Sequence, residues 1–145
     1  MTEQARGQHL AATFLSMINT HDPGLLDRFV AEGYRDHNAF ASDGREANRQ
    51  FWTAFFAAIP DVSGRMEDLV ISGDRVVGRF VHRGTHTGDF MGIPASGNPV
   101  EMRTIDIWRV EDSKFVEHWD ELNLMQLFQQ MGALPPLAPG PAEDA

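Results

Sequence analysis

The chain of 145 residues contains no cysteine. That absence removes disulfides, thiolate nucleophiles and thiolate metal sites from consideration. Positive charge is scarce as well: 12 Lys and Arg stand against 21 Asp and Glu, a net charge of −9. The basic residues are scattered, and a field of this sign repels phosphate, so neither nucleic acid nor an anionic membrane is an expected partner. Long apolar runs are missing too. The opening segment, MTEQARGQHLAATFLSMINTHD, is broken by polar residues throughout, which argues against a signal peptide or a membrane span and makes a soluble, cytoplasmic protein the expectation. What is present is aromatic: 10 Phe and 3 Trp help bring hydrophobic residues to 42%, enough for one domain with a sizeable core.

The first third of the chain has helical periodicity. Leu10, Phe14, Met17 and Ile18 predict an amphipathic helix over 8–18. A short second helix follows, with Asp22 as cap, Pro23 at its first position, and Leu25, Leu26, Phe29 and Val30 as its buried stripe. The third has Asp43 as cap with Glu46 answering it, an apolar face of Phe51, Trp52, Phe55, Phe56 and Ile59, and Pro60 as its stop.

From Val62 onward the period becomes two. The turn clusters SGDR and EDSK separate strands expected at about 62–71, 75–87, 98–110 and 114–122, with HTGDFMGIPASGNP as a long loop between the second and third. A final helix over Leu124–Met131 stops at Gly132 and the pair Pro135–Pro136, and a Pro-rich tail occupies 135–145. Helices followed by strands predict an α+β fold, helices packed on one face of a curved antiparallel sheet, with a cleft between the layers.

Two strands carry polar groups on apolar faces. In VEMRTIDIWRV, 100–110, the even positions are apolar except for Thr104 and Asp106. A buried carboxylate needs a partner or a raised pKa, because leaving it charged and alone costs several kcal/mol. In FVEHWDELNL, 115–124, Val116, His118 and Asp120 alternate with Phe115, Glu117 and Trp119. A turn centred near 112–113 sets position 106 opposite 119 or 120, so Asp106, His118 and Asp120 are expected to form an acid–imidazole–acid cluster facing the cleft. Such a cluster suits proton transfer near neutral pH; buried His–Asp pairs also occur simply to satisfy hydrogen bonds.

His37, in YRDHN, is expected on a short edge strand aimed into the mouth of the cleft. His86 and Phe90 from the long loop, Trp52 and Phe56 from the third helix, and Met102 and Trp108 from the even strand face are the candidate ligand contacts. His118 and Asp120 with His86 or His37 offer nitrogen and oxygen donors, but no paired-histidine metal spacing occurs, so no metal site is assigned.

The stretches YRDHN, IPDV, GDRVVGRF, GTHTGDFMGIPASGNPV, IDIWRVEDSKFVEHWDELNL and FQQMG resemble the SnoaL-like polyketide cyclase (ester cyclase) family of the nuclear transport factor 2-like superfamily. The resemblance runs over about residues 8–134, taken as one domain over 1–134. It implies a cone in which the sheet wraps around three helices, an apolar pocket, and a homodimer formed through the outer sheet face. It also implies an intramolecular aldol condensation on a hydrophobic carbonyl compound, with no metal or organic cofactor. The family's acid/base carboxylate matches Asp120, and His118 and His37 would polarise the carbonyl. Two positions depart from the pattern: Asp106 stands where the cyclases carry His, and Asn123 where relatives often carry an acid. Two alternatives remain open: a hydrolase activating water between Asp106 and Asp120, as on an epoxide or lactone, and a small-molecule-binding dimer without chemistry. The epoxide hydrolases of this superfamily hold an Arg between two acids, whereas Arg103 falls on the odd strand face.

Overall fold

A computed structural model describes residues 1–136. Helix α1 spans Glu3–Thr20, longer than its apolar stripe, because the Thr2 hydroxyl caps it by accepting from the Ala5 N–H. Next come a single 3-10 turn at Pro23–Leu25, capped by Asp22 as expected, and the one-turn helix α2, Leu26–Phe29. The expected second helix is thus cut short. Val30 leaves the helical region (φ −115°, ψ 132°) and opens strand β1, Val30–Asp36.

Helix α3 covers Arg45–Ala58. Gly44, not Asp43, occupies its N-cap position, and no side chain caps it. The Asp43 carboxylate accepts instead from the Asp36 N–H at 2.8 Å, and Glu46 accepts from Arg49 at 3.1 Å. The expected capping box therefore does not form, because Asp43 is used to tie the loop to the end of β1.

Strands β2 (Ser63–Ser72), β3 (Arg75–Thr85), β4 (Pro99–Glu111) and β5 (Lys114–Leu122) form the antiparallel meander, and helix α4 (Leu124–Gln130) closes the described chain. The sheet order is β1-β5-β4-β3-β2, with β1 parallel to β5. This pairing makes the sheet mixed rather than purely antiparallel, and its two edge strands do not meet to close a barrel. Expected tail residues 137–145 lie outside the described residues.

The core fills the concave side. Phe14 of α1 meets Phe29, Trp52 and Phe80 edge-on, with ring centroids 6.2, 5.8 and 5.1 Å away. These rings are buried and interlock α1, α3 and the middle of the sheet. Edge-to-face packing of this kind adds roughly 0.5–1.5 kcal/mol per pair beyond area burial. The long loop docks on the end of α3, where the Thr87 and Gly88 N–H groups donate to the Ala58 carbonyl at 3.1 and 3.0 Å.

One irregularity governs the concave face. The β4–β5 turn has Asp112 and Ser113 at φ 50° and 62°, both left-handed, as a tight two-residue hairpin requires. Continued without interruption, that register would set Asp106 opposite Trp119. A bulge intervenes: Val110 pairs with Phe115, but Arg109 pairs with Glu117, and Val116 is extra. Beyond it Asp106 faces Asp120 and Trp108 faces His118. Phe115, expected beside Trp119, is turned inward by the same bulge and stacks flat on Trp108 at 4.5 Å.

Candidate active site

Between the helices and the concave sheet face lies a hollow of about 820 Å³ counted out to its open mouth, of which about 70 Å³ admits the centre of a water molecule. The wall is mostly aromatic and aliphatic. Trp52, Phe90, Met102 and Trp108, all expected to touch a ligand, belong to it. Phe40, Met91 and Leu124 are further lining residues, and of these Phe40 and Met91 are exposed to solvent.

The polar side of the hollow is built on His118. Its Nε2 lies 2.8 Å from Asp106 Oδ1, and its Nδ1 lies 3.0 Å from Asp36 Oδ1. The Thr104 hydroxyl donates to the other oxygen of Asp106 at 2.6 Å. Above and below, the imidazole is sandwiched by Tyr34 and Trp108, with centroids at 6.0 and 5.4 Å. Burial alone would favour the neutral ring. The hydrogen bonds that the ring donates to Asp106 and Asp36 outweigh it and raise the His118 pKa from 6.5 to about 10. Geometry says the same: both nitrogens face carboxylate oxygens, which accept, so each carries a proton.

Asp120 projects next to this ion cluster and is half-buried. The Asn38 amide donates to both of its oxygens, at 2.8 and 3.0 Å. Burial raises the Asp120 pKa above the ordinary value, and the negative charges of Asp106 and Asp36 add to the shift. The His118 cation and the Asn38 bonds offset only part of it. The result is a carboxyl that exchanges a proton more readily near neutral pH than a free aspartate does.

Asp106, His118 and Asp120 each bring one ligating atom within 4.8 Å of the others. A cation there would have to compete with the proton on His118 Nε2, which Asp106 holds. The donor set suits a retained proton better than a metal ion.

Three expected site residues lie elsewhere. His37 immediately follows β1, and the alternation that turns Asp36 and Asn38 inward turns His37 outward. Its Nε2 bonds Glu117 at 2.7 Å and its ring stacks on Trp119 at 4.9 Å, on the outer face. His86 is buried outside the cavity wall, its Nδ1 2.8 Å from the Ser96 hydroxyl, where it braces the long loop. Phe56 packs beside Trp52 and Phe55 and serves the core. Arg103 is on the outer face as expected, bonding Gln126.

Conversely, Asp36, Asn38, Tyr34 and His82 line the hollow without having been singled out. A signal existed for each. Tyr34, Asp36 and Asn38 alternate in YRDHN, and His82 continues the row Val76, Gly78, Phe80, a polar residue in an apolar register like Asp106.

The family model for SnoaL-like polyketide cyclases matches residues 8–131. The chain belongs to the SnoaL-like polyketide cyclase family. Among solved structures, TsrD from Streptomyces laurentii is 36% identical, with a TM-score of 0.86, covering 92% of this chain and 100% of TsrD. IdmH from Streptomyces antibioticus, a candidate polyketide cyclase, is 31% identical with a TM-score of 0.72, over 87% of this chain and 98% of IdmH. A candidate polyketide cyclase from Bacillus cereus is 27% identical with a TM-score of 0.77, over 89% and 82% of the two chains. No curated protein sequence matches. The SnoaL-like fold is the α+β cone expected from the sequence, here with an open, five-stranded mixed sheet. Among the described residues of this SnoaL-like chain, no helix is long and apolar enough to cross a membrane.

Proposed function

We propose that this SnoaL-like protein is a cofactor-independent acid/base enzyme that closes a ring by intramolecular aldol addition on a hydrophobic carbonyl substrate. The observation that carries this reading is Asp120: a half-buried carboxyl with a raised pKa, facing an apolar hollow beside a permanently paired imidazolium. In the proposed reaction the Asp120 carboxylate removes a proton from the carbon next to a carbonyl, giving an enolate and a protonated Asp120. The enolate carbon attacks a second carbonyl of the same molecule, forming the C–C bond. The resulting alkoxide takes the proton back from Asp120, so the residue ends as it began.

His118 has no free N–H for the substrate, since Asp36 and Asp106 take both. Its part is positioning and a fixed positive field near the developing enolate. Direct donors to the enolate oxygen are the Tyr34 hydroxyl and the Asn48 amide. Both line the hollow, and the Trp108 indole N–H donates to the Tyr34 oxygen, which leaves the hydroxyl's own proton free. Burial, and after it the charge of Asp36, hold the Tyr34 hydroxyl well above its usual pKa and so keep its proton available. The hydrolase alternative loses support because Arg103 lies on the outer face, away from Asp106 and Asp120.

We further infer a homodimer through that outer face. Ile105 and Ile107 are exposed there beside Trp119, which Arg75 covers at 5.2 Å, and a two-fold contact of such a patch with itself would bury them.

The enzymatic reading is tested by deuterium wash-in at the methyl group of 2-acetylnaphthalene in D2O, followed by NMR. The protein should accelerate exchange, and Asp120→Asn should lower the rate about 10²–10⁴-fold. Because the base must be ionised, the rate should fall as the pH drops through a point above the ordinary 3.8 of aspartate. Exchange that survives in Asp120→Asn at nearly the original rate overturns the assignment.

A further inference from the structure

His82 is the one ionisable side chain of the hollow that the proposed chemistry leaves unused. It sits on β3, only 2% exposed, and neither ring nitrogen has a hydrogen-bond partner among the described residues. Leaving such groups buried and unpaired is unfavourable, so an unpaired imidazole at this depth calls for an explanation. Packing does not supply one. The ring stacks parallel on Phe80 at 5.9 Å and meets Phe14 edge-on at 6.3 Å, contacts that a phenyl ring would make equally well.

The orientation of the ring is informative. A methyl group added at Gly64 would lie 2.7 Å from His82 Nδ1 and 3.2 Å from Cε1, so that edge abuts the β2 backbone. Nε2 is not among the three atoms nearest that position, and the residue forms part of the wall of the hollow. The Asn19 amide pins Gly64 in place by bonding both its N–H and its carbonyl, at 2.7 and 3.1 Å, which holds the space the ring occupies. Burial, opposed only by the charge of Asp106, lowers the His82 pKa to about 4, so the ring is neutral with one donor and one acceptor nitrogen.

Its location relative to Asp120 follows from the register. Gly78 of β3 pairs with Asp106, which pairs with Asp120, and His82 is four residues further along β3. At about 3.3 Å per residue that is roughly 13 Å along the strand. We propose that His82 is a specificity-determining residue that hydrogen-bonds a second polar substituent, a hydroxyl or carbonyl, at the far end of an elongated ring-system substrate whose reactive carbonyl lies at Asp120. The inference rests on the reading of the hollow as a hydrophobic carbonyl site and adds the shape and polarity of what enters it.

The test uses two rigid probes, 2-acetylnaphthalene and 6-hydroxy-2-acetylnaphthalene, whose carbonyl and hydroxyl occupy opposite ends of the bicycle. Fluorescence titration of the wild-type protein should show the hydroxylated ketone binding about tenfold tighter, the size expected for one satisfied buried hydrogen bond. His82→Phe should erase that preference, the two ketones then binding within about twofold of each other, and thermal melting should confirm a folded variant. Should His82→Phe fail to fold, the ring nitrogens of the wild-type histidine, followed by nitrogen NMR, should move on adding the hydroxylated ketone and stay put with the plain one. Equal binding of the two ketones by the wild type, or a preference that persists in His82→Phe, overturns the role of His82 alone. Failure of both ketones to bind overturns the carbonyl-site reading and the inference with it.

Discussion

At the scale of single residues, the protein's chemistry depends on charge balance within a few ångströms. Two aspartates hold one imidazolium, leaving the trio with one net negative charge, and Asp120 sits beside it. Ionising Asp120 adds a second negative charge to a partly dry site, which is why its pKa rises. Asp106, standing where a family pattern expects a histidine, accepts from His118 Nε2 at 2.8 Å and fixes the orientation and charge of that ring; the proposed reaction gives it no oxyanion to stabilise. The same pairing bears on stability. A group whose pKa is raised on folding stabilises the fold fully below its unfolded value, and loses that contribution as the pH climbs through the folded value. For His118 the window runs from 6.5 to about 10, so the thermal midpoint should fall across that range. His118→Gln should flatten this slope and cost about 3–5 kcal/mol at neutral pH, since it strands two buried carboxylates. A melting series in buffers from pH 6 upward measures both.

At the scale of elements, the site depends on where strands slip and where they pair. The bulge at Val116 advances β5 by one residue, turning what would be an Asp106–Trp119 pair into Asp106–Asp120. Period-two alternation was legible in the sequence and correctly put His118 and Asp120 together. It misassigned Phe115, because a bulge reverses the phase of everything before it. Strand β1 adds the other half of the site from 82 residues away, through a parallel pairing that no local pattern encodes. The junction of β5 and α4 is held by Asn123, whose side-chain oxygen accepts from the Arg103 N–H at 2.7 Å and whose amide donates to the Glu101 carbonyl at 3.0 Å. An aspartate keeps the first bond and loses the second, setting a carboxylate oxygen against a carbonyl oxygen. Asn123→Asp should therefore destabilise the protein by about 1–3 kcal/mol, read as a lower urea midpoint.

At the scale of the whole molecule, the two faces of one sheet have opposite jobs. The concave face carries the hollow and its ion cluster, while the convex face exposes Ile105 at 50% and Ile107 at 37% beside Trp119. His37, expected at the cavity mouth, belongs to this convex face through its stack on Trp119. If a second copy covers it, as proposed, Ile107→Asp should convert a dimer to a monomer in sedimentation analysis at micromolar concentration. A wild-type protein that sediments as a monomer would refute the dimer. The hollow lies on the concave face, so the variant should retain ketone binding.

From its sequence alone the chain determined the helix-then-strand order, the apolar rows, the absence of thiol chemistry, and the family. All of these are local or compositional properties, set by which residues recur at which spacing. Only the tertiary structure decided that His118 gains two carboxylates instead of one, that Asn38 reaches Asp120 while His37 turns away, and that both nitrogens of His82 are left unpaired in the wall of the hollow. Those outcomes depend on a one-residue bulge and on a pairing between distant strands, and both are chosen by the packing of the whole core rather than by any segment within it.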